Sequence, residues 1–374
     1  MDLGSVPAAP GSNVALRADG AATAPAVPEV FDEMTHRRSP KPPKMTDVAE
    51  LAGVSQTTVS FVINNVTSAG IAEETRLRVW AAVRQLGYRT NAAAKVLRTN
   101  RSHVIGFITD EVASTPFAGD IIKGAQDVAW LNKRLLMILN TNSKSEVEES
   151  AIEMMLEQRV GGFIYAAMCH QEVNPPPSLR EIPAVLLNCY CRDRSLPSVV
   201  PDEVTGGRRA TELLIGKGHR RIGFINILPY LPPARGRLEG YKHALSEHGI
   251  AYDPALVFHG NSFADSGYAS TKELMLLPDR PTALFCGTDR VAMGAYEALS
   301  ELGLAIPRDV AVIGFDNQEL VAAYLRPSLS TMAMPYYEMG QWAVRYLIDM
   351  FEHDDPVSPI QQMLDTPLIE RESA

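Results

Sequence analysis

The chain has 374 residues, too many for a single hydrophobic core, so two or three folding units are expected. Hydrophobic residues make up 46%, ample for burial, yet no uncharged apolar run approaches the roughly 18 residues a membrane helix needs. The formal charge of −9 would argue against nucleic acid if spread evenly, but residues 36–101 carry eleven Lys or Arg against four Asp or Glu. A basic head on an acidic body suits phosphate attraction at one end and solubility at the other.

Residues 1–44 hold eight alanines and seven prolines and little hydrophobic bulk, the composition of a disordered tail. The tail ends in Arg37-Arg38-Ser-Pro-Lys41-Pro-Pro-Lys44, and two readings stay open. It is a basic arm that lies along phosphates, or a stretch without a role that precedes a start at Met34 or Met45. The N-terminus lacks a basic region followed by an apolar run, so secretion is not expected.

Met45 to Asn64 reads as two short helices joined by a glycine turn, the layout of a helix-turn-helix. Thr46 is expected to cap the first helix, with Val48, Ala49, Leu51 and Ala52 facing inward. Gly53 supplies the turn, and the Ser55 hydroxyl is placed to cap the second helix. There Gln56, Thr57, Ser60 and Phe61 share one face, which can enter a major groove, while Val59, Val62 and Ile63 share the packing face. A third helix is expected from Ala72 to Gly87, with Leu77, Trp80, Val83 and Leu86 at helical spacing and Gly87 as its stop.

These residues, with Thr75-Arg76, Leu86-Gly87-Tyr88 and the segment from Asn91 to Arg98, carry a resemblance to the lactose-repressor (LacI/GalR) family of bacterial transcription regulators. The resemblance runs from residue 45 to about residue 370. It implies a helix-turn-helix head over 45–90, a hinge helix over 91–101 and an effector-binding, dimerising domain over 102–374. The head and hinge would bind double-stranded DNA, as a homodimer on a pseudopalindromic operator. On that model the contact set is Thr46, Ser55, Gln56, Thr57, Ser60, Phe61 and Asn64 in the head. In the hinge it is Asn91, Ala94, Lys95, Leu97 and Arg98. Gln56 and Thr57 would read base edges. Many relatives carry Arg where this chain has Phe61, which either touches a thymine methyl or belongs to the core. Leu97 matches the leucine that wedges between central base pairs, with Lys95 and Arg98 near phosphates. A segment so short is marginal as an isolated helix, so it should fold only on DNA beside its mate.

From Ser102 the pattern alternates. Strands are expected at 104–109, 134–141, 161–168, 184–190, 221–226, 282–287 and 310–315. Helices are expected at 117–133, 145–158, 206–215, 233–247, 265–277 and 289–302. Short apolar strands alternating with amphipathic helices imply α/β architecture, parallel sheets covered on both faces. Two runs, parted near Pro201, suggest two doubly wound lobes across a cleft, with ligands beyond the carboxyl ends of the strands. The resemblance implies the same bilobed, periplasmic-binding-protein-like arrangement.

Arg235-Gly-Arg237-Leu-Glu-Gly-Tyr241 looks like the family motif whose second arginine reaches the effector, which makes Arg237 the first candidate. The alternative for Arg237 is a helix-surface salt bridge. Asp316, ending Val310-Ala-Val-Ile-Gly-Phe-Asp316, stands where the family's aspartate accepts ligand hydroxyls. Thr288 and Asp289 open a helix in the matching place, and Asp289 has the alternative of merely capping it. Asn188 and Phe117 complete the expected effector set. Relatives place an aromatic where Ser262 stands here, with Phe263 one residue late. One Arg, two Asp, an Asn and aromatics fit a sugar or related polyol, while a purine or nucleoside stays open.

No G-x-G-x-x-G after a strand, Walker loop, G-x-S-x-G or H-E-x-x-H occurs, so neither an enzyme nor a cofactor is expected. Gly216-Lys-Gly218 reads as a helix end. The four cysteines suggest a reducing, cytoplasmic setting, and the lone Cys189-x-Cys191 reads as alternate strand positions rather than a metal site. A sugar-binding transport protein would share the bilobed fold but not the basic head.

Overall fold

The structure, a computed structural model, describes residues 43–88, 102–115, 119–352 and 359–374. The chain divides into two compact units, residues 1–90 and 91–374. Phe117 and the hinge candidates Asn91, Ala94, Lys95, Leu97 and Arg98 lie outside the described residues.

The head is three helices, α1 (Met45–Ala52), α2 (Gln56–Ile63) and α3 (Glu73–Leu86). Val48, Ala49 and Ala52 of α1, Val59 and Val62 of α2, and Val79 and Ala82 of α3 form its core. Gly53, at φ 66°, adopts the left-handed conformation that turns the chain from α1 into α2. Three expectations need correction. Thr46 lies inside α1 and caps nothing; Lys44 holds the cap position, and its N–H donates to the Asp47 carboxylate at 2.7 Å. Leu51 is exposed rather than core. The buried stripe of α3 is also rotated. Val79, Ala82, Val83 and Leu86 face the core at i, i+3, i+4 and i+7, whereas Leu77 and Trp80 are 59% and 40% exposed. Both stripes share Val83 and Leu86, so spacing alone does not choose between them.

The larger unit holds two six-stranded sheets. The first contains β1 (Val104–Thr109), β2 (Leu135–Asn140), β3 (Phe163–Glu172), β4 (Ala184–Tyr190), β5 (Ser198–Pro201) and β11 (Gln361–Leu364), in the order β11-β5-β4-β3-β1-β2 and all parallel. The second contains β6 (Ile222–Asn226), β7 (Val257–His259), β8 (Ala283–Cys286), β9 (Ala311–Asp316), β10 (Ser330–Ala333) and β12 (Leu368–Ile369), in the order β12-β10-β9-β8-β6-β7. Only β12 runs antiparallel to its neighbour among these pairs.

Alternation along each strand explains why both faces are covered. Ile105 and Phe107 pack under α4 (Gly119–Leu131), while their neighbour Ile108 packs under α5 (Ser145–Glu157). In the second lobe, Leu284 faces α8 (Ala264–Met275) and α9 (Asp289–Glu301), and Phe285 faces α6 (Glu203–Gly216) and α7 (Pro232–Glu247). The last long helix, α11 (Tyr336–Glu352), follows β10 of the second lobe but buries Met339, Ala343, Val344 and Leu347 in the core of the first. The chain therefore passes between lobes after β5, after β10 and after β11. A short helix, α10 (Glu319–Ala322), follows β9.

Helices α6 and α7 touch backbone to backbone. A Cβ on Gly207 would collide with the Arg237 backbone, and one on Gly240 with the Val204 carbonyl. That approach sets Glu203, at the start of α6, beside Arg237 on α7. The Gly216-Lys-Gly218 segment ends α6, as expected, with Gly218 at φ 99°.

Candidate functional site

The head presents one set of side chains to water. Ser55 accepts from the Thr58 N–H at 3.0 Å and so caps α2. Gln56 and Thr57 follow it and are exposed, and Phe61, one turn on, is 39% exposed. Val59 and Val62 on the opposite side are buried. Phe61 is therefore not a core residue. Asn64 donates to the Ser60 carbonyl at 2.7 Å and closes the end of α2, which commits its amide to the helix itself. Ser60 is half-buried behind it.

The second site lies between the lobes, at the carboxyl ends of the strands. Arg237 is 3% exposed, which rules out a surface salt bridge. Its Nε donates to Glu203 Oε2 at 2.7 Å, its Nη1 donates to the Gly287 carbonyl, and its Nη2 stands 3.9 Å from Asp316 Oδ1. The guanidinium carbon lies 3.7 Å over the Phe315 ring. Burial opposes its charge, but Glu203 and Asp316 outweigh burial and hold its pKa above the ordinary value. Asp316 feels the converse. Burial pushes its carboxyl up to about 6, against the pull of Arg237. Gln318 Nε2 donates to Asp316 Oδ2 at 3.2 Å.

Asn188, 1% exposed, donates to the Ala167 and Met168 carbonyls at 3.0 and 2.9 Å. Asn188 and Asp316 both sit at positive φ, 58° and 114°, a conformation non-glycine residues adopt seldom and Asn and Asp most readily among them. Thr288 caps α9 by accepting from the Val291 N–H at 3.1 Å, and its hydroxyl donates to the Ser262 carbonyl at 3.2 Å.

Asp289 does not belong to this group. Fully buried, it turns away from the cleft, where its carboxylate accepts from the Thr331 hydroxyl and the Gln318 N–H, both at 2.6 Å. Burial drives its pKa well up. It ties α9 to β10 and to the loop after β9, which is more than simple capping. Phe263 is exposed and lies under Arg290, 4.6 Å from its guanidinium, while Ser262 lines the cleft.

Four expected residues thus converge: Asn188 from the first lobe, and Arg237, Thr288 and Asp316 from the second. The structure adds Glu203, Gln318, Arg290 and Tyr336, which the sequence reading did not single out. Glu203 follows the helix-capping Asp202 and looks like first-turn acid, the one local hint being its place where the chain enters the second lobe. The enclosed space among these residues is about 70 Å³. A wider cavity of about 590 Å³ adjoins it and shares His170 and Glu203. The inner space holds about two waters and is continuous with this wider cavity and with a third of about 290 Å³ that shares Asp316, Gln318, Met334 and Tyr336, so the cleft as a whole reaches the ~300 Å³ of ordinary ligand sites. Among the described residues no cluster of three or more His, Cys, Asp or Glu is placed to hold a metal, and no helix is long and apolar enough to cross a membrane. Cys189 and Cys191 are buried at the end of β4.

Both units of the chain have counterparts in known proteins. Residues 44–91 match the model of the bacterial regulatory proteins, lacI family, and residues 211–374 match a periplasmic binding protein-like domain. The HTH-type transcriptional regulator RegA of Clostridium saccharobutylicum is 34% identical over 329 residues, 87% of this chain and 98% of its own. The ribose operon repressor of Escherichia coli (strain K12) is 32% identical over 335 residues, covering 88% and 99%. In three dimensions the chain is similar to the lac repressor dimer bound to operator and the anti-inducer ONPF, with a TM-score of 0.74 at 27% identity over 89% of this chain and 99% of that one. With its basic head, bilobed body and relatives that regulate transcription rather than catalyse, the chain belongs to the lacI family of bacterial regulatory proteins, DNA-binding transcription regulators that carry a ligand-binding domain.

Proposed function

We propose that this chain is a repressor that binds a pseudopalindromic operator as a homodimer, and that a small polar effector, a sugar or related polyol, controls its affinity for DNA. The observation that carries the DNA half is the two-sided α2. Gln56, Thr57 and Phe61 are exposed on a capped helix whose other face is core, so reading a major groove costs the head no packing. Gln56 can pair with adenine N6 and N7, and Phe61 can meet a thymine methyl. Leu97, with Asn91, Ala94, Lys95 and Arg98 around it, would open the central step of the operator from the minor groove. Thr46 and Ser55 sit at the helix starts beside the phosphates.

The effector half rests on the buried, interlocked polar groups that the two lobes bring together. A ligand seated among groups from both lobes would bias their spacing, and lobe movement is what would alter the spacing of paired hinges. Dimerisation is supported by large exposed apolar side chains on the larger unit. Leu131 near the end of α4, Leu135 on the edge strand β2 and Leu320 after β9 are 80%, 59% and 74% exposed. The name of the ribose operon repressor favours a sugar. A regulator of this kind works in the cytoplasm, on the nucleoid.

Selection of bound fragments from random duplex DNA by the purified full-length protein tests this. The expected result is a pseudopalindrome whose centre is a flexible step, and release of that fragment by a sugar. Recovery of no preferred sequence, with and without sugars present, would overturn the reading.

A further inference from the structure

The cleft is unbalanced in its hydrogen bonding, and the imbalance has a direction. Asn188, Glu203 and Gln318 are 1%, 5% and 9% exposed, and all three line the enclosed space between the lobes. Asn188 Oδ1, Glu203 Oε1 and Gln318 Oε1 have no hydrogen-bond donor. Their orientations are not free. The Asn188 amide nitrogen is pinned by two carbonyls, which leaves its oxygen turned away from them. Glu203 gives its other oxygen to Arg237 Nε, and the Gln318 nitrogen donates to Asp316. Buried polar groups are nearly always satisfied, so three unmet acceptors in one cleft call for donors from outside the chain.

Two donors of the same cleft, Arg237 and Thr288, are committed, and a third, Arg290, lies over the Phe263 ring. Arg237 donates to Glu203 and to the Gly287 carbonyl and faces Asp316 at 3.9 Å; Thr288 donates to Ser262. His170 Nδ1, also without a partner, stands 3.9 Å from Glu203 Oε1, and burial lowers its pKa, so the ring is neutral at pH 7. An incoming hydroxyl would find acceptors waiting. An incoming phosphate or carboxylate would meet the free oxygen of Glu203, with Arg237 already neutralised by it.

We infer that Asn188, Glu203 and Gln318 select a ligand that carries no negative charge and donates at least three hydrogen bonds, and that Glu203 is the residue that refuses anionic relatives of that ligand. The inference rests on the reading of this cleft as the effector site and narrows it to unphosphorylated, unoxidised polyhydroxyl compounds.

The test is calorimetric titration of the full-length protein with neutral sugars and polyols, each paired with its phosphate ester and its sugar acid. A neutral compound should bind, with its phosphate and its acid at least tenfold weaker. In Glu203→Gln that ratio should collapse to within about threefold, because the substitution removes the repelling charge beside Arg237 and leaves only Asp316, at 3.9 Å, facing its guanidinium. A fold defect alone would weaken both partners of a pair alike and leave the ratio unmoved. Should Glu203→Gln fail to fold, Gln318→Leu removes one acceptor, together with the donor to Asp316, and should cost the neutral ligand at least roughly tenfold. An anionic partner that binds as tightly as the neutral one, in a manner abolished by Arg237→Ala, overturns the inference and leaves the cleft reading standing. An unchanged ratio in Glu203→Gln overturns the role of Glu203. No binding from either class overturns the cleft reading, and this inference with it.

Discussion

The two candidate sites are built on opposite principles. On α2 of the head, Gln56, Thr57 and Phe61 reach into water, and the helix is held by residues behind them, Val59 and Val62. In the cleft, Arg237, Glu203 and Asp316 brace one another within the second lobe, and Asn188 braces the first through two backbone carbonyls. A surface that reads DNA can vary its side chains at little cost in stability. A cleft that couples ligand to lobe movement cannot, because the groups that bind also brace. Specificity and stability are separable in the head and fused in the cleft.

The strongest test of that difference is Arg237→Ala. It leaves Glu203 buried and uncompensated, and breaking a buried pair this way costs on the order of 3–5 kcal/mol. Urea denaturation of the larger unit should show that loss, together with loss of the effector response, while operator binding without effector persists. Adding Glu203→Gln to it should restore part of the stability but not the response. If Arg237→Ala is as stable as wild type, the claim that binding and bracing are fused is wrong.

Asp289→Ala comes next and separates bracing from binding within the cleft wall. It removes the partner of the Thr331 hydroxyl and of the Gln318 N–H, each at a cost of about 1–3 kcal/mol, so a loss of roughly 2–6 kcal/mol is expected. Asp289→Asn, which keeps an acceptor, should recover much of the stability and bind effector with wild-type affinity. A tenfold loss of affinity in Asp289→Asn would return Asp289 to the ligand shell.

How far the two sites were legible in the sequence follows the same division. In the head the signals are local. Gly53 and the Ser55 cap act within four residues, and the two-faced α2 is visible in eight consecutive letters. Where local reading erred, it was by rotation: Leu77 and Trp80 were as periodic as Val79 and Ala82, and only the packing of α1 on α3 decides. Seven strands and most helices of the larger unit could be read from alternation, to within a few residues at their ends, whereas β5, β7, β10, β11 and β12, two to four residues each, are too short to carry such a pattern. In the cleft, Arg237 and Asp316 were found through a motif. Glu203 and Gln318 were not, because what makes them matter lies 34 and 29 residues away, in Arg237 and Asp289. Thr288 and Asp289 are adjacent, yet one faces the cleft and the other the core of its lobe. No spacing rule distinguishes two neighbours at a helix start. The helix Tyr336–Glu352, beyond the elements the sequence reading reaches, carries a plain helical stripe in Met339, Ala343, Val344 and Leu347. Its return to the first lobe is a property of the whole chain.

In the head, the Ser55 cap is, with Asn64 at the other end of α2, the expected contact residue that also braces. Ser55→Ala removes the acceptor for the Thr58 N–H and should cost about 1 kcal/mol of head stability. That loss would be read as a lower melting point of the head transition, with a modest fall in operator affinity and no change in which bases are preferred. An altered preference would mean that Ser55 reads bases itself.

Phe61→Ala should give the smallest change in stability and the clearest change in reading. The side chain is 39% exposed, and the core beneath is made by Val59 and Val62, so the effect on unfolding should stay within about 0.5 kcal/mol. If the ring meets a thymine methyl, selection from random duplexes should recover that T with wild type and lose the preference at that one position with the variant. The remaining positions should keep theirs, since Gln56 and Thr57 sit at the other end of α2 on a helix whose cap is untouched. A substitution to Arg at the same place should shift the preference toward G, because a bidentate guanidinium matches O6 and N7. A variant that keeps the wild-type preference but unfolds more easily would put Phe61 back among the bracing residues, and with it the head would lose the separation that distinguishes it from the cleft.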